Sequence, residues 1–217
     1  MKVDIYSDVA CPWCYIGQAR FERALGEFAG AEHIEVRYRP YQLDPRAPMS
    51  AEPMFDYLER RFGARGRAMA AHVIGIARGE GLEMDYDRGL SVNTLNAHRL
   101  LLLADREQGP AMQRALMRRL FEAHFAEGKD VGDPRVLAAL AGEVGLDPDA
   151  VRNYLESDEG TGEVQVEIAA AQRLGVSAVP TYVFDDKYVV EGAQSTEVFL
   201  QALKTIADEA AASDAGR

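Results

Sequence analysis

A chain of 217 residues with 47 % hydrophobic content can bury a core without covalent staples, as one large domain or as a domain carrying an insertion. Its net charge of −11, from 35 acidic against 24 basic residues, opposes recognition of nucleic acid or an anionic membrane through a basic face. No apolar run reaches the length of a membrane span, and the local basic cluster of Arg60, Arg61, Arg65 and Arg67 reads as a solvated helix face.

The run Val3-Asp4-Ile5-Tyr6-Ser7 alternates and is partly β-branched and aromatic, which predicts a short strand. It follows Met1-Lys2 with no charged leader, apolar h-region or small-residue cleavage site, so the expected compartment is the cytoplasm. From Trp13 to Phe28, the residues Ile16, Phe21, Leu25 and Phe28 recur at helical spacing. His33 to Tyr41 alternates Ile34, Val36 and Tyr38 with charged residues and reads as a second strand ended by Pro40; Leu43 to Pro48 is a proline-marked exit loop. Between Pro53 and Leu174 the pattern is helical. Breaks at Gly63, Gly79-Glu80-Gly81, Gly109-Pro110, Gly128, Asp133-Pro134 and Asp147-Pro148 divide it into six or seven helices with no strand of note. Each has one buried face, as at Leu116, Leu120, Phe121 and Phe125. Pro180 suits the start of a strand, and Val183-Phe184, a turn at Asp185-Asp186-Lys187 and Tyr188-Val189-Val190 make a hairpin. The last helix is expected from Thr196 to Glu209 with Ser195 or Thr196 as its N-cap, and Ala210 to Arg217 is expected to fray.

Cys11 and Cys14 are the only cysteines, and they sit where the first strand hands over to the first helix. Pro12 fits the first helical position, where a missing N–H is harmless. The Cys11 sulfur is then expected over the free N–H groups and positive end of the helix, which favours a thiolate and makes Cys11 the nucleophile. Side chains at i and i+3 have Cβ atoms about 5–6 Å apart. A disulfide needs about 3.5–4.5 Å. A small local adjustment would therefore let the more buried Cys14 resolve a mixed disulfide on Cys11. Three other readings stand beside this one: a structural disulfide closing a tiny loop, a zinc site, or two inert core cysteines. For zinc, His33, His72, His98 and His124 are scattered and never paired at the usual spacing, so no metal is expected.

Strand, C-x-x-C helix, strand, helical block, hairpin and helix make an α/β, thioredoxin-like fold, β-α-β then β-β-α, with a large all-α insertion. The expected division is a discontinuous thioredoxin-like domain of residues 1–45 and 160–217 and an inserted helical domain of residues 46–159.

Several motifs now align. Ser7-Asp8 leading into Cys11-Pro12-Trp13-Cys14-Tyr15-Ile16-Gly17, Asn93-Thr94 leading into Ala97-His98-Arg99-Leu100, Val176 to Pro180, and Gly192-Ala193-Gln194 together resemble the DsbA-like thioredoxin family, and within it the cytoplasmic FrnE-type branch, over essentially the full length. The resemblance implies that Cys11 is the exposed attacking cysteine, Cys14 the resolving one, and Pro180 a cis-proline facing the disulfide. It also implies that the Val179 backbone beside Pro180 meets a substrate strand. Pro12 and Trp13 are read as substrate contacts, since a tryptophan between the cysteines can hardly be core. One departure stands out: thioredoxins carry a buried acid six residues before the first cysteine, and here that position is Ile5. Asp8 or Asp4 could replace it as a proton relay, and Asp8 could equally cap the helix. His98 is read as a helix-face residue packed under the site rather than a catalyst, and Asn93 as a helix cap. Glu191-Gly192-Ala193-Gln194 falls where related proteins hold glutathione at a helix start.

The expected activity is thiol–disulfide oxidoreduction or isomerisation through the Cys-Pro-Trp-Cys pair, on disulfide- or thiol-containing proteins or small molecules. No cofactor is expected beyond the redox-active Cys11–Cys14 disulfide, with glutathione a candidate reductant. The alternatives are a kappa-type glutathione transferase or a 2-hydroxychromene-2-carboxylate isomerase, which use a serine where Cys11 stands, and a non-enzymatic, chaperone-like binding module. Nothing in the sequence sets an oligomeric state.

Overall fold

The computed structural model describes residues 1–215. Its organising strand is β1 (Lys2–Ser7), which hands over through a tight turn at residues 8–11 to α1 (Pro12–Glu27) and, beyond a short 3₁₀ turn, to β2 (Glu35–Pro40). Seven helices intervene before the sheet resumes: α2 (Met54–Phe62), α3 (Arg65–Gly79), α4 (Leu95–Gln108), α5 (Pro110–Phe121), α6 (Pro134–Glu143), α7 (Pro148–Glu156) and α8 (Thr161–Arg173). The chain then forms β5 (Thr181–Phe184), β6 (Tyr188–Glu191) and α9 (Thr196–Ala215). The four-stranded sheet runs in the order β2-β1-β5-β6, with β1 parallel to β2 and antiparallel to β5, and β6 antiparallel to β5. This is the β-α-β then β-β-α arrangement, with helices between its halves, that the sequence predicts.

Three boundaries differ from expectation. The helical block contains a small antiparallel pair, β3 (Glu52–Pro53) and β4 (Leu90–Ser91), too short to show any alternation in sequence. The second strand starts at Glu35 because Ala31–His33 closes a 3₁₀ turn. α9 continues past Glu209 through Ala215, since Ala210, Ala211 and Ala212 are strong helix formers that nothing interrupts; Gly216 and Arg217, expected to fray, lie outside the described residues.

The period-two pattern of β1 is realised on two faces. Val3 and Ile5 sit beside Val36 and Tyr38 on one side and Phe184 and Tyr182 on the other, all buried. Against that face Phe21 of α1 meets Tyr182 at 5.2 Å and Phe199 of α9 at 5.3 Å between ring centroids. Asp4 points the other way and is paired with Arg39 at 2.7 Å and Lys2 at 2.7 Å. The outer edge of β2 is closed by the Gln113 side chain of α5, which accepts from Tyr38 N–H at 2.7 Å and donates to Tyr38 C=O at 3.1 Å. A side-chain amide thus supplies what a further strand would have supplied.

Within the block, Arg99 of α4 is buried and spends all five of its N–H donors. Nε donates to Glu159 C=O, Nη1 to Asn96 Oδ1 and Leu155 C=O, and Nη2 to Tyr154 and Ser157 C=O, at 2.6–3.1 Å. These are the open carbonyls at the end of α7, so a cation sits where the helix dipole is negative.

Candidate active site

Cys11 is the N-cap of α1 and Pro12 its first residue, as the spacing predicts. Cys11 C=O accepts from Cys14 N–H at 3.0 Å and Tyr15 N–H at 3.3 Å, which starts the helix. Two features differ from expectation. The Cys11 side chain accepts no hydrogen bond from the first-turn amides; instead its thiol donates to Val179 C=O, with 3.7 Å between sulfur and oxygen. Cys11 is also only 3 % exposed rather than open to solvent, its thiol turned onto the carbonyl of Val179. The Val179–Pro180 peptide is cis. Pro12 and Val179 are partly exposed, Pro180 is buried, and Trp13 stands out at 38 % exposure.

Both thiols are free, with no bond between them. Cys14 is buried beneath Cys11, and its pKa is pushed well above the ordinary thiol value by burial first and then by the neighbouring Cys11. The neighbouring Ser7 hydroxyl and Asp8 backbone amide favour the charged form and oppose that rise without cancelling it.

Of the two acids weighed as relays, Asp4 is excluded by its pairing with Arg39 and Lys2 on the far face of β1. Asp8 is 1 % exposed and does not cap α1. It braces the turn ahead of the helix, accepting from Ala10 N–H at 3.3 Å and reaching the loop after β2 through Leu43 N–H at 2.8 Å. Burial favours its neutral form, but the His98 imidazole, the Leu43 amide and the Thr94 hydroxyl outweigh burial and hold its pKa below the usual carboxylate value. His98 Nε2 lies 3.4 Å from Asp8 Oδ1, out of line for a hydrogen bond, and both side chains are 2 % exposed. His98 therefore does pack under the site. Asn93 accepts from Leu95 N–H at 2.9 Å at the start of α4, and its amide also clamps Pro45 and Ala47 of the exit loop.

Sequence reasoning missed the aromatic wall that the block contributes. Tyr15 stacks on Phe121 and Phe125 at 5.4 and 5.6 Å, and Tyr86 stacks on Phe125 at 6.3 Å. Burial, then the nearness of Cys11, raises the pKa of the Tyr86 hydroxyl. His124, on a π-helical turn at Glu122–Ala126, is 1 % exposed with neither ring nitrogen partnered. Burial lowers its pKa to about 4, against a smaller upward pull from Asp8. Phe121 and Phe125 carried a helical signal, but nothing in sequence ties residue 86 or 124 to residue 11. Near the expected glutathione segment, Gly192 N–H donates to Pro180 C=O at 2.8 Å and Arg20 donates to Ala193 C=O at 2.6 Å.

Compared with known proteins, residues 2–204 match the family model of the DSBA-like thioredoxin domain. The chain belongs to that family. Within this DsbA-like fold, a probable DsbA oxidoreductase from Streptomyces coelicolor superposes with a TM-score of 0.86 at 36 % identity, covering 94 % of this chain and 89 % of the other. The cytosolic disulfide reductase DsbM from Pseudomonas aeruginosa, solved with GSH, shares the fold at a TM-score of 0.68 and 22 % identity, over 96 % and 100 % of the two chains. The 2-hydroxychromene-2-carboxylate isomerase of Sphingobium xenophagum is 24 % identical over 185 residues, 85 % of this chain and 89 % of its own. Among the described residues no helix is long and apolar enough to cross a membrane.

Proposed function

We propose that this DsbA-like protein is a thiol–disulfide oxidoreductase or isomerase of FrnE type, acting in the cytoplasm through Cys11 and Cys14. The observation that carries the reading is the juxtaposition at the head of α1: an N-cap thiol against the Val179 carbonyl, a second thiol one turn below, and an exposed Trp13 between them. In this reading Cys11 attacks a substrate disulfide and Cys14 displaces the product by forming the Cys11–Cys14 bond. Pro12, Trp13, Val179 and Pro180 form the contact surface for a thiol- or disulfide-bearing protein or small molecule. The reducing partner is glutathione or a dithiol protein. The likeness to a cytosolic reductase solved with GSH supports the first.

Cys11→Ser should abolish turnover of a disulfide substrate, while Cys14→Ser should accumulate mixed disulfides visible by mass after alkylation. Full activity in Cys11→Ser would overturn the proposal. The isomerase likeness favours a second, glutathione-dependent reading. Both cysteines being present argues against it, and calorimetry with the thiols blocked discriminates, because absence of glutathione binding removes it.

A further inference from the structure

Between β1, β2, α4, α5 and α8 lies a cavity of about 20 Å³, whose lining includes Ser7, Arg39, His98, Asp105, Gln113 and Glu167. One water fits such a volume when two or more polar partners meet it. Two buried polar atoms on these residues have no protein partner: His98 Nε2, beside Asp8, and Asp105 Oδ1. Ser7 lines this space and also neighbours Cys14, whose charged form its hydroxyl favours. At the solvent side Arg39 and Glu167 approach at 3.7 Å, with side chains 29 % and 32 % exposed.

This arrangement supplies what Ile5 withholds. A buried Cys14 thiol must lose its proton to attack, and burial makes that loss harder. We propose that one water in this cavity, held by Ser7 and His98, carries the Cys14 proton to the His98 imidazole as Cys14 resolves a mixed disulfide, an inference that rests on the disulfide-exchange reading above. In the step, the Cys14 sulfur gives its electron pair to the Cys11 sulfur, the bond from Cys11 to the substrate sulfur breaks, and the substrate leaves as a thiolate. The Cys14 proton passes through the Ser7 hydroxyl and the water to His98, and bulk water protonates the departed thiolate. The charged and titratable groups near His98 are Asp8 from the turn before α1, and, lining the same cavity, Asp105 on α4 itself, Arg39 from β2 and Glu167 from α8; Asp8 also acts on His124 of the π-helical turn. Asp8, 3.4 Å from His98 Nε2, balances the arriving proton. Ser7 and His98 thus handle the reacting proton itself, Ser7 passing it on and His98 receiving it.

The test uses the reduced full-length protein and 5,5′-dithiobis(2-nitrobenzoate) in stopped flow. Attack by Cys11 releases a first nitrothiobenzoate, and attack by Cys14 on the resulting mixed disulfide releases a second. Ser7→Ala and His98→Gln should slow the second phase about a hundredfold near neutral pH, at the low end of general-base effects. The deficit should shrink steadily toward pH 9.5 as hydroxide takes the proton directly, and Ser7→Thr, which keeps a hydroxyl, should restore the rate. If His98→Gln does not fold, Ser7→Ala and Ser7→Thr carry the test. A second phase slowed equally at every pH, or not slowed at all, overturns the relay while leaving the exchange reading standing. Release of only one equivalent by the unaltered protein overturns the exchange reading itself, and the relay with it.

Discussion

Replacing Arg99 tests how the helical block is held. Its guanidinium donates to the carbonyls of Tyr154, Leu155, Ser157 and Glu159 and to Asn96. These acceptors are mostly backbone, so no partner substitution removes them along with the donor. Each hydrogen bond from a charged donor contributes about 1.5–3 kcal/mol, and an acceptor left buried and empty costs about 1–3 kcal/mol. The five are not additive, and burying the guanidinium has its own desolvation penalty, so Arg99→Ala is expected to destabilise by about 3–5 kcal/mol. For a chain of this length each kcal/mol lowers Tm by roughly 2–4 °C, so a loss of about 4 kcal/mol lowers it by roughly 8–16 °C. Arg99→Lys keeps the charge but offers three donors in place of five, and should fall between the two. Thermal unfolding followed by circular dichroism, with urea titration as a second probe, reads the effect. A Tm within about 2 °C of the unaltered protein for Arg99→Ala would refute the reasoning, since five buried hydrogen bonds would then contribute almost nothing.

Three further outcomes follow from the same coordinates. His124, with a folded pKa of about 4 against 6.5 unfolded, stays neutral where the unfolded chain takes up a proton, so stability falls as pH drops from 6.5 toward 4, by about 3 kcal/mol. His124→Leu should remove that loss, seen as a urea midpoint that changes less between pH 7 and pH 5 than in the unaltered protein; parallel midpoints would contradict it. A Cβ at Gly17 would stand 2.7 Å from Tyr182 Oη and 3.1 Å from Pro180 Cγ. Gly17→Ala should therefore destabilise by about 1–3 kcal/mol and alter the alkylation rate of Cys11, and an unchanged urea midpoint would count against that contact. Trp13→Ala, at an exposed site, should leave stability within about 0.5 kcal/mol while raising KM for a peptide disulfide; an unchanged KM would remove Trp13 from the contact surface.

What the sequence made legible follows its local signals. The alternation around Ile5, the helical spacing from Ile16 to Phe28, and Pro12 between strand and helix fixed β1, α1 and the place of Cys11, because each depends on residues a few positions apart. The proline and glycine breaks mark helix ends at Gly63, Gly79, Gly109, Pro134 and Pro148 for the same reason, but the gap at residues 157–160 that separates α7 from α8 is not among them. What stayed hidden is set by distant packing. Cys11 is buried with its thiol turned onto residue 179, Asp4 and Asp8 have different fates because Asp4 lies within β1 beside Arg39 while Asp8 lies past the end of the strand, in the turn, and the water-sized cavity is bounded by five separate elements. α9 outruns its expected end because sequence reasoning read small residues as fraying where, docked on Phe21 and Tyr182, the helix continues.

The register of the sheet also bears on the order in which the molecule is made. β1 is synthesised before both of its partners, and one of them is β5, so Val3 waits for Phe184 while every residue between them emerges. Until then β1 can pair only with β2, and the head of α1 lacks the Val179 carbonyl that covers its thiol. Closing so long a loop carries an entropic penalty that the helices between, which depend on nearer contacts, do not share. A nascent chain would therefore acquire its helical block before its full sheet, and its two cysteines would remain open to oxidants or other thiols until Val179 arrived.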